Sequence, residues 1–472
     1  LFLRVLISSI PALLTSTLQI YTGSVVFIFL AKAMTVDNFG ILSFGFSLST
    51  LAVIMADFGF SLMVIKDYPV EIFNLKTYIT NSVLAKLLIG IGSSLLFFLY
   101  ILNFYRGDWL SVGTMYIIFA LISSFTVYLQ ALFRTQNRFH KFAESNIIYA
   151  AGVTITILIY WKFQIGLLSL VGILLLSKLT QFLWTLYLCK SLFNIYTFNI
   201  KLIKKLIKNS WSFGLHSVLG IFYFMVDTQI IALYLGSKEV ALYQSVFRVI
   251  LILLLFGELI SNVLLPYLSF KFYNKENVSD LLSKIFLYLL IIGCSLFLFF
   301  TTFDRQLLML LYNREYLPAD ILILPLSIVV VIRTTSSLLG NVLTISNRQV
   351  NRVTTVGISL IVSLILNLIL IPKYGIVAAA WTSVLVHLLL FGMYFAFCKL
   401  EVPSIKLHSF ENICLLISTS FIYFIIQLWN PNNNYWVISI CILAWIMFVY
   451  FIMKHNNNNI FLKSLLKDKG VN

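Results

Sequence analysis

The sequence predicts an all-α integral membrane protein with about fourteen transmembrane helices, and its composition and hydropathy pattern support this prediction. Of the 472 residues, 60% are hydrophobic and only 11% are charged. A soluble domain carries about 25% charged residues. Apolar runs of about 20 residues recur along the whole chain, so they indicate membrane spans rather than one N-terminal signal peptide.

Fourteen apolar segments, separated by polar or turn-forming residues, are predicted as transmembrane helices. Very short connections at Gly236–Lys238 and Pro372–Tyr374 predict antiparallel helix pairs at these two places. The five cysteines lie within or at the ends of apolar runs without metal-ligand spacing, so no metal site is predicted. The predicted spans are 9–33, 39–64, 79–103, 109–133, 142–162, 164–190, 211–235, 239–268, 281–303, 317–344, 351–371, 376–399, 410–429 and 435–454.

One long polar break, residues 191–210, divides the chain into two halves of similar length. Its lysines, Lys201, Lys204, Lys205 and Lys208, are interleaved with isoleucine and leucine. This pattern predicts a basic amphipathic segment that lies on a membrane face.

The two halves resemble each other at an offset of about 200 to 210 residues, which predicts an internal duplication. Asn137-Arg138 after the fourth span corresponds to Asn347-Arg348 after the tenth. Because six spans is an even number, the two halves should share one orientation, related by an axis along the membrane normal. The predicted organisation is an N-lobe at 1–190, a linker at 191–210, a C-lobe at 211–399, and two extra helices with a cytoplasmic tail at 400–472.

The basic residues of the connections predict a cytoplasmic N-terminus and a cytoplasmic C-terminus. In that orientation the inner connections carry about three times as many lysines and arginines as the outer ones. The formal net charge of +16 therefore needs no nucleic acid partner, since basic cytoplasmic loops that face anionic lipid account for it.

Several ionisable residues lie deep inside predicted spans, where a charge costs about 2.5 to 3.5 kcal/mol on insertion scales. Such residues should face a protein interior or a water-filled cavity. We assign the basic group to a central substrate cavity and the acids to structural or coupling roles. The basic residues are Lys86, Lys178, Arg248, Arg333 and His387, and the acids are Asp57, Asp227 and Glu258.

Two hypotheses about these charges follow from their depth. Asp227 and Arg248 lie at one depth across a tight hairpin, which predicts a salt bridge between them. Lys178 and Arg333 lie near mid-span without an evident partner, which favours contact with an anionic substrate, phosphate above all. The alternative for both basic residues is structural pairing with Asp57 or Glu258.

Motifs at the start of both halves resemble those of polysaccharide-repeat-unit flippases, the Wzx-like O-antigen transporters of the superfamily that also contains MATE-type multidrug exporters. The first-half motifs run from Phe29 to Gly40 and continue at Ala56-Asp57-Phe58-Gly59. The second-half motifs are Val226-Asp227-Thr228-Gln229, Leu235-Gly236, Ala241-Leu242-Tyr243 and Arg248.

This resemblance implies two six-helix lobes around a central cavity that opens alternately to the two sides of the bacterial inner membrane. The implied substrate is an undecaprenyl-diphosphate-linked oligosaccharide, an O-antigen or capsule repeat unit. A polysaccharide polymerase and a chain-length regulator would be partners. No cofactor is expected, and the coupling ion, H⁺ or Na⁺, is left open.

Alternative functions are a lipid II flippase or an ion-coupled drug exporter of the same superfamily. An enzyme is the alternative from another class. A periplasmic polymerase or ligase would need a large outer loop, whereas the longest predicted outer break, 304–316, is short. Glycosyltransferases that use a divalent metal need clustered acids, whereas the inner loops are basic. We therefore predict a transporter and not an enzyme.

Overall fold

The computed structural model describes residues 14–15, 17–67, 75–190, 198–274, 276–403, 405, 409–429 and 435–456, and every regular element in this part of the chain is a helix. A π-helical turn, Tyr21–Val25, precedes α1, and a 3₁₀ helix, Arg314–Leu322, precedes α12. The α-helices are α1 Val26–Ala33, α2 Val36–Asp57, α3 Phe60–Asp67, α4 Leu75–Phe104, α5 Asp108–Thr135, α6 Phe139–Phe163, α7 Leu167–Cys189, α8 Ile200–Tyr234, α9 Ser237–Tyr273, α10 Ser279–Thr302, α11 Asp304–Leu311, α12 Ile323–Ile345, α13 Gln349–Glu401, α14 Phe410–Trp429 and α15 Tyr435–Asn456.

Eleven helices of the described chain are long and apolar enough to cross a membrane, and two shorter apolar helices, Thr17–Ala33 and Ile438–Lys454, lie near the two ends. The predicted class, an all-α integral membrane protein, is confirmed. The count of fourteen spans stays a prediction. The 53-residue helix α13 covers two predicted spans, and its backbone is non-helical at Gly375, where φ is 69° and ψ is −155°. Glycine adopts this conformation without the steric cost of a Cβ atom.

The second predicted span, 39–64, is not one helix, so this prediction was wrong. The chain leaves the helical conformation at Phe58 and Gly59, whose φ angles are 41° and 79°. The Asp57 carboxylate then accepts hydrogen bonds from the Ser61 amide, at 3.3 Å, and from the Ser61 hydroxyl, at 2.6 Å. These bonds satisfy a donor at the start of α3, as a capping side chain does.

The basic segment continues directly into the seventh predicted span, because α8 is a single helix of 35 residues. Asn199 caps its N-terminus by accepting from the amides of Lys201 and Leu202. Ile203 and Leu206 are buried in a hydrophobic core formed with α3, α4 and α5. The apolar face of the segment therefore packs against the protein, and the position of the segment on a membrane face stays a prediction.

The chain divides into two compact units. In the first unit, α2, α5 and α7 pack together, with α8 against α2 and α4. In the second unit, α10 packs between α12 and α14. The predicted lobes and linker, with boundaries at 190, 210 and 399, stay a prediction. The first unit contains Leu1–Arg248, Leu311–Pro318 and Leu360–Ala379, and the second contains Val249–Leu310, Ala319–Ser359 and Ala380–Asn472.

Candidate functional site

Asp57 and Lys86 form a buried ion pair in the first unit. The Lys86 Nζ atom lies 2.6 Å from Asp57 Oδ1, and the exposed fractions of the Lys86 and Asp57 side chains are 0% and 7%. Lys86 also lies 3.4 Å from the Ala56 carbonyl oxygen. The pair sits where α2 gives way to α3. A buried charge is tolerated when it is paired and hydrogen-bonded, so in this conformation each of the two charges compensates the other.

Arg248 is enclosed by aromatic rings. Its Nη1 atom donates to the Gly23 carbonyl oxygen at 2.7 Å, and its guanidinium carbon lies 3.5 Å from the ring centre of Phe27 and 4.8 Å from that of Phe46. Arg248 is only 2% exposed, and its Nε atom is buried without a hydrogen-bond partner. Gly23 belongs to the π-helical turn Tyr21–Val25, a geometry that is frequent at functional sites.

The predicted salt bridge between Asp227 and Arg248 is not among the ion pairs of the described residues, so this prediction was wrong. Asp227 Oδ1 accepts from the Asn367 amide at 2.7 Å, and its Oδ2 accepts from the Tyr243 hydroxyl at 3.1 Å. Depth alone does not fix which side of a helix a residue faces. Tyr243 and Arg248 are five residues apart on α9, which places them about 140° apart around the helix axis.

Lys178 is buried in a polar network between α5, α6 and α7. Its Nζ atom lies 2.8 Å from Gln181 Oε1 and 4.3 Å from the ring centre of Tyr149. Gln181 in turn contacts Ser145 and Asn146. Lys178 forms no ion pair with a carboxylate among the residues that the structure describes.

This network was not predicted from the sequence, although a signal for it exists. Uncharged polar residues are hard to read in an apolar span, because a serine or threonine can also bond to the backbone of its own helix. Gln130 and Gln181 are the informative residues, since a buried amide needs several partners. Further contacts are Gln130 to Ser145 at 3.0 Å, Gln130 to Asn146 at 3.3 Å, and Ser145 to Thr185 at 2.7 Å.

In the second unit, Arg333 pairs with an acid. Its Nη2 atom lies 3.4 Å from Glu258 Oε1, and the side chains are 18% and 41% exposed. The expectation that Arg333 has no partner at matching depth was wrong, and its alternative, a pair with Glu258, is what the structure shows. His387 is 6% exposed, with Nδ1 2.7 Å from the Ser383 carbonyl oxygen. Since a carbonyl only accepts, Nδ1 carries the proton.

The second unit also contains an apolar cavity of about 670 Å³ between α10, α12, α13 and α14. Its few polar lining residues include Thr335, Asn412 and Thr419. A cavity of this size and character suits a hydrocarbon group. The sequence carries no signal for this cavity, because cavity-facing and lipid-facing residues are equally apolar. The apolar lining is formed by Phe286, Leu290, Cys294, Phe297, Leu324, Ile328, Val331, Ile332, Leu388, Phe391, Ile413, Leu416 and Tyr423.

These features define a class of protein, a polytopic α-helical membrane protein. Its long apolar helices enclose buried basic side chains in the first unit and an apolar cavity in the second. In the described chain, no group of three or more histidines, cysteines or acids could hold a metal ion.

Known structures show the same fold. The lipid II flippase MurJ, in an inward closed conformation, matches with a TM-score of 0.75 at 14% identity, over 95% of this chain and 99% of that one. A multidrug resistance MATE transporter of the MOP superfamily, in an inward-facing conformation, matches with a TM-score of 0.65 at 11% identity, over 82% and 95%. The chain therefore has the MOP transporter fold.

The chain belongs to the polysaccharide biosynthesis protein family, whose model matches residues 11–272. It is 31% identical over 188 residues to an uncharacterized membrane protein of Methanocaldococcus jannaschii, covering 38% of this chain. It is 24% identical over 172 residues to the "probable low-salt glycan biosynthesis flippase" of Haloferax volcanii, covering 36%. The matches span 37% and 36% of these two relatives. The relatives with a stated activity are flippases and transporters, which agrees with the prediction of a non-enzyme.

Proposed function

We propose that this protein is a flippase that moves an undecaprenyl-diphosphate-linked oligosaccharide across the bacterial inner membrane by alternating access. The repeat unit of O-antigen or capsule is the proposed cargo. The observation that carries the proposal is Arg248, a buried guanidinium with an unsatisfied Nε atom and no ion pair among the described carboxylates.

Arg248 favours an anionic cargo. A guanidinium presents donors in a planar fork that matches phosphate oxygens, and it stays charged in a protein interior. Phe27 and Phe46 cover the group in this conformation. A phosphate can therefore reach Nε only when α1 and α2 move away from α9, as a change of access would require. An exporter of cationic drugs has no use for a buried cation at its binding site, since like charges repel.

The apolar cavity supports a lipid-linked cargo. A polyprenyl chain is uncharged, and burial of its surface contributes about 25 cal/mol per Å². Thr335 and Asn412 are among the few polar groups on the cavity wall, so the wall offers little to a sugar. Lys86 and His387 have structural contacts in this conformation, and Lys178 and Arg333 remain proposed contacts of the anionic part of the cargo.

We propose that transport is coupled to H⁺ or Na⁺ through Asp227. Its carboxylate lies in a membrane-spanning helix and accepts hydrogen bonds from Tyr243 and Asn367, two neutral groups. Acids inside membrane spans are typical of proton and ion pathways, which makes Asp227 a candidate coupling residue. Transport by proteoliposomes under an imposed pH gradient or an imposed sodium gradient distinguishes the two ions, and transport without either gradient contradicts the coupling.

The proposed orientation places both termini in the cytoplasm, with a polysaccharide polymerase and a chain-length regulator as partners that receive the cargo outside. This orientation rests on the excess of basic residues in the inner connections.

A deletion experiment tests the function. Loss of the gene should leave lipid-linked repeat units accumulated on the inner leaflet and remove the surface polysaccharide. An Arg248→Gln variant should fail to complement although it reaches normal levels, whereas wild type restores the polysaccharide. Intact surface polysaccharide in the deletion strain contradicts the proposal. Arrested cell-wall synthesis would instead favour lipid II as cargo, and single repeat units that reach the surface without polymerisation would favour a polymerase.

A further inference from the structure

The first turns of α8 carry a row of lysines that the proposed function does not use. Lys201, Lys204, Lys205 and Lys208 are all exposed, and at about 100° per residue they occupy one arc of the helix. None of them forms an ion pair with a carboxylate in the described part of the chain. Like charges three and four residues apart destabilise a helix, so this lysine row favours a bound anion.

The structure fixes the direction in which the lysine row faces. Ile203 and Leu206, on the opposite side of the helix, are 5% and 2% exposed and belong to the core that Phe60 and Met63 share. The segment is thus attached to the protein by its apolar face, and the lysines point outward. The helix then runs without a break into the span that begins at Phe213.

Exposed apolar side chains border the lysine row. Ile200, Trp211 and Leu215 are 57%, 61% and 41% exposed. At about 100° per residue, Ile200 and Trp211 lie along one edge of the row, and Leu215 lies in line with it, about two turns beyond Lys208. Lys208 lies five residues before Phe213, which corresponds to about 7.5 Å along the helix axis. Tryptophan is enriched where a membrane meets water, and nearby lysines extend toward the headgroups. The combination points to a lipid headgroup layer and not to an acidic soluble protein, which would leave the apolar edge uncovered.

We propose that the lysine row binds the phosphate groups of anionic phospholipids in the leaflet that this end of α8 meets. Each lysine near an anionic surface contributes attraction that falls off within a Debye length. The row would hold negatively charged lipids at one position on the protein surface and keep them in preference to zwitterionic lipids.

Quenching of Trp211 by brominated lipids tests this site in the full-length protein. The protein is reconstituted in phosphatidylcholine vesicles that contain either brominated phosphatidylglycerol or brominated phosphatidylcholine. The Trp211 signal is the fluorescence difference between wild type and Trp211→Phe. We expect brominated phosphatidylglycerol to quench Trp211 at about fivefold lower mole fraction at low salt. The preference should fall as salt is raised, because ions screen exposed charges.

Two variants, each of which removes four positive charges, show whether the preference for the anionic lipid depends on the lysine row. The variant with glutamine at 201, 204, 205 and 208 should lose the preference for the anionic lipid. The control replaces four other exposed lysines, Lys32, Lys162, Lys238 and Lys373, by glutamine and should keep it. Equal quenching by both lipids in wild type, or an unchanged preference in the first variant, overturns the proposal. If the first variant does not accumulate in the membrane, the salt titration of the wild-type protein tests the proposal instead. A lipid preference that does not change with salt then overturns the proposal.

Discussion

The Lys86 ammonium lies 2.6 Å from the Asp57 carboxylate, and both side chains are buried. Lys271 and Glu276 lie at the same distance, but their side chains are 24% and 44% exposed. The two pairs therefore differ in burial and not in separation, which makes the second a matched control for the first.

Breaking the buried pair should destabilise the protein strongly. Lys86→Met leaves the Asp57 carboxylate buried without its cation, at a cost of about 3 to 5 kcal/mol. The double variant Asp57→Asn, Lys86→Met removes both charges, and asparagine can still accept from the Ser61 amide, so most of the loss should be recovered. Lys271→Met should cost at most about 1 kcal/mol. Thermal unfolding in detergent measures all three, and equal losses for Lys86→Met and Lys271→Met contradict the prediction.

The break between α2 and α3 depends on Gly59. Its φ is +79°, and a Cβ atom there would clash with the backbone of Phe213 and Gly214 in α8. Gly59→Ala should therefore destabilise the protein by about 2 to 4 kcal/mol, through strained backbone and overpacking. At Gly92 in α4, an added methyl group would meet no other atom within 4 Å, so Gly92→Ala is the control and should be near neutral. If Gly59→Ala melts at the same temperature as wild type, the prediction is wrong, because α8 can then move away from the added methyl group without loss of stability.

The helix bounds were predictable from the sequence because each apolar run is long and ends at polar or turn residues. The predicted spans 142–162 and 281–303 correspond closely to α6, Phe139–Phe163, and α10, Ser279–Thr302. The break at Phe58 was not predictable from hydropathy, since Asp57 is a single charge between apolar runs. The hydrogen-bond partners of buried side chains were harder to predict than the helix bounds, because hydropathy indicates the depth of a residue and not the side of the helix that it faces. Asp227 is an example, since its partner on α9 is Tyr243 and not the predicted Arg248.

The orientation of the chain can be tested at Lys208 and Lys238, which are both exposed and lie near opposite ends of α8. If the N-terminus is cytoplasmic, a cysteine introduced at Lys208 should be shielded from a membrane-impermeant thiol reagent in intact cells, and one at Lys238 should react. In opened cells, both should react. The native cysteines do not obscure the result if wild type is labelled in parallel. Reaction of Lys208→Cys in intact cells means that the predicted orientation is inverted.

Arg248 and Asp227 should behave as independent residues, because the structure gives them different partners. A charge-swapped double variant, Asp227→Arg with Arg248→Asp, should not recover what either single change loses. Arg248→Gln should lower surface polysaccharide about tenfold or more, the size expected when a charge-assisted hydrogen bond to phosphate is lost. Membrane immunoblots beside a polysaccharide assay provide the measurement. Recovery by the swap would show that the two side chains pair in another conformation of the transporter.

Variants of Arg333 can show whether this residue contacts the substrate or only pairs with Glu258. Its contact with Glu258 is 3.4 Å long, and the Glu258 side chain is 41% exposed, so the pair is less enclosed than that of Lys86 and Asp57. If the exposed side faces a water-filled cavity, the pair contributes about 0 to 1 kcal/mol, and neither Arg333→Gln nor Glu258→Gln should reduce the protein level. If Arg333 holds the anionic part of the cargo, Arg333→Gln should abolish surface polysaccharide at a normal protein level, and Arg333→Lys should keep part of it. Lys178→Gln and Lys178→Arg make the same comparison in the first unit. Full activity of Arg333→Gln, or a loss of activity that merely follows a loss of protein, removes Arg333 from the proposed site.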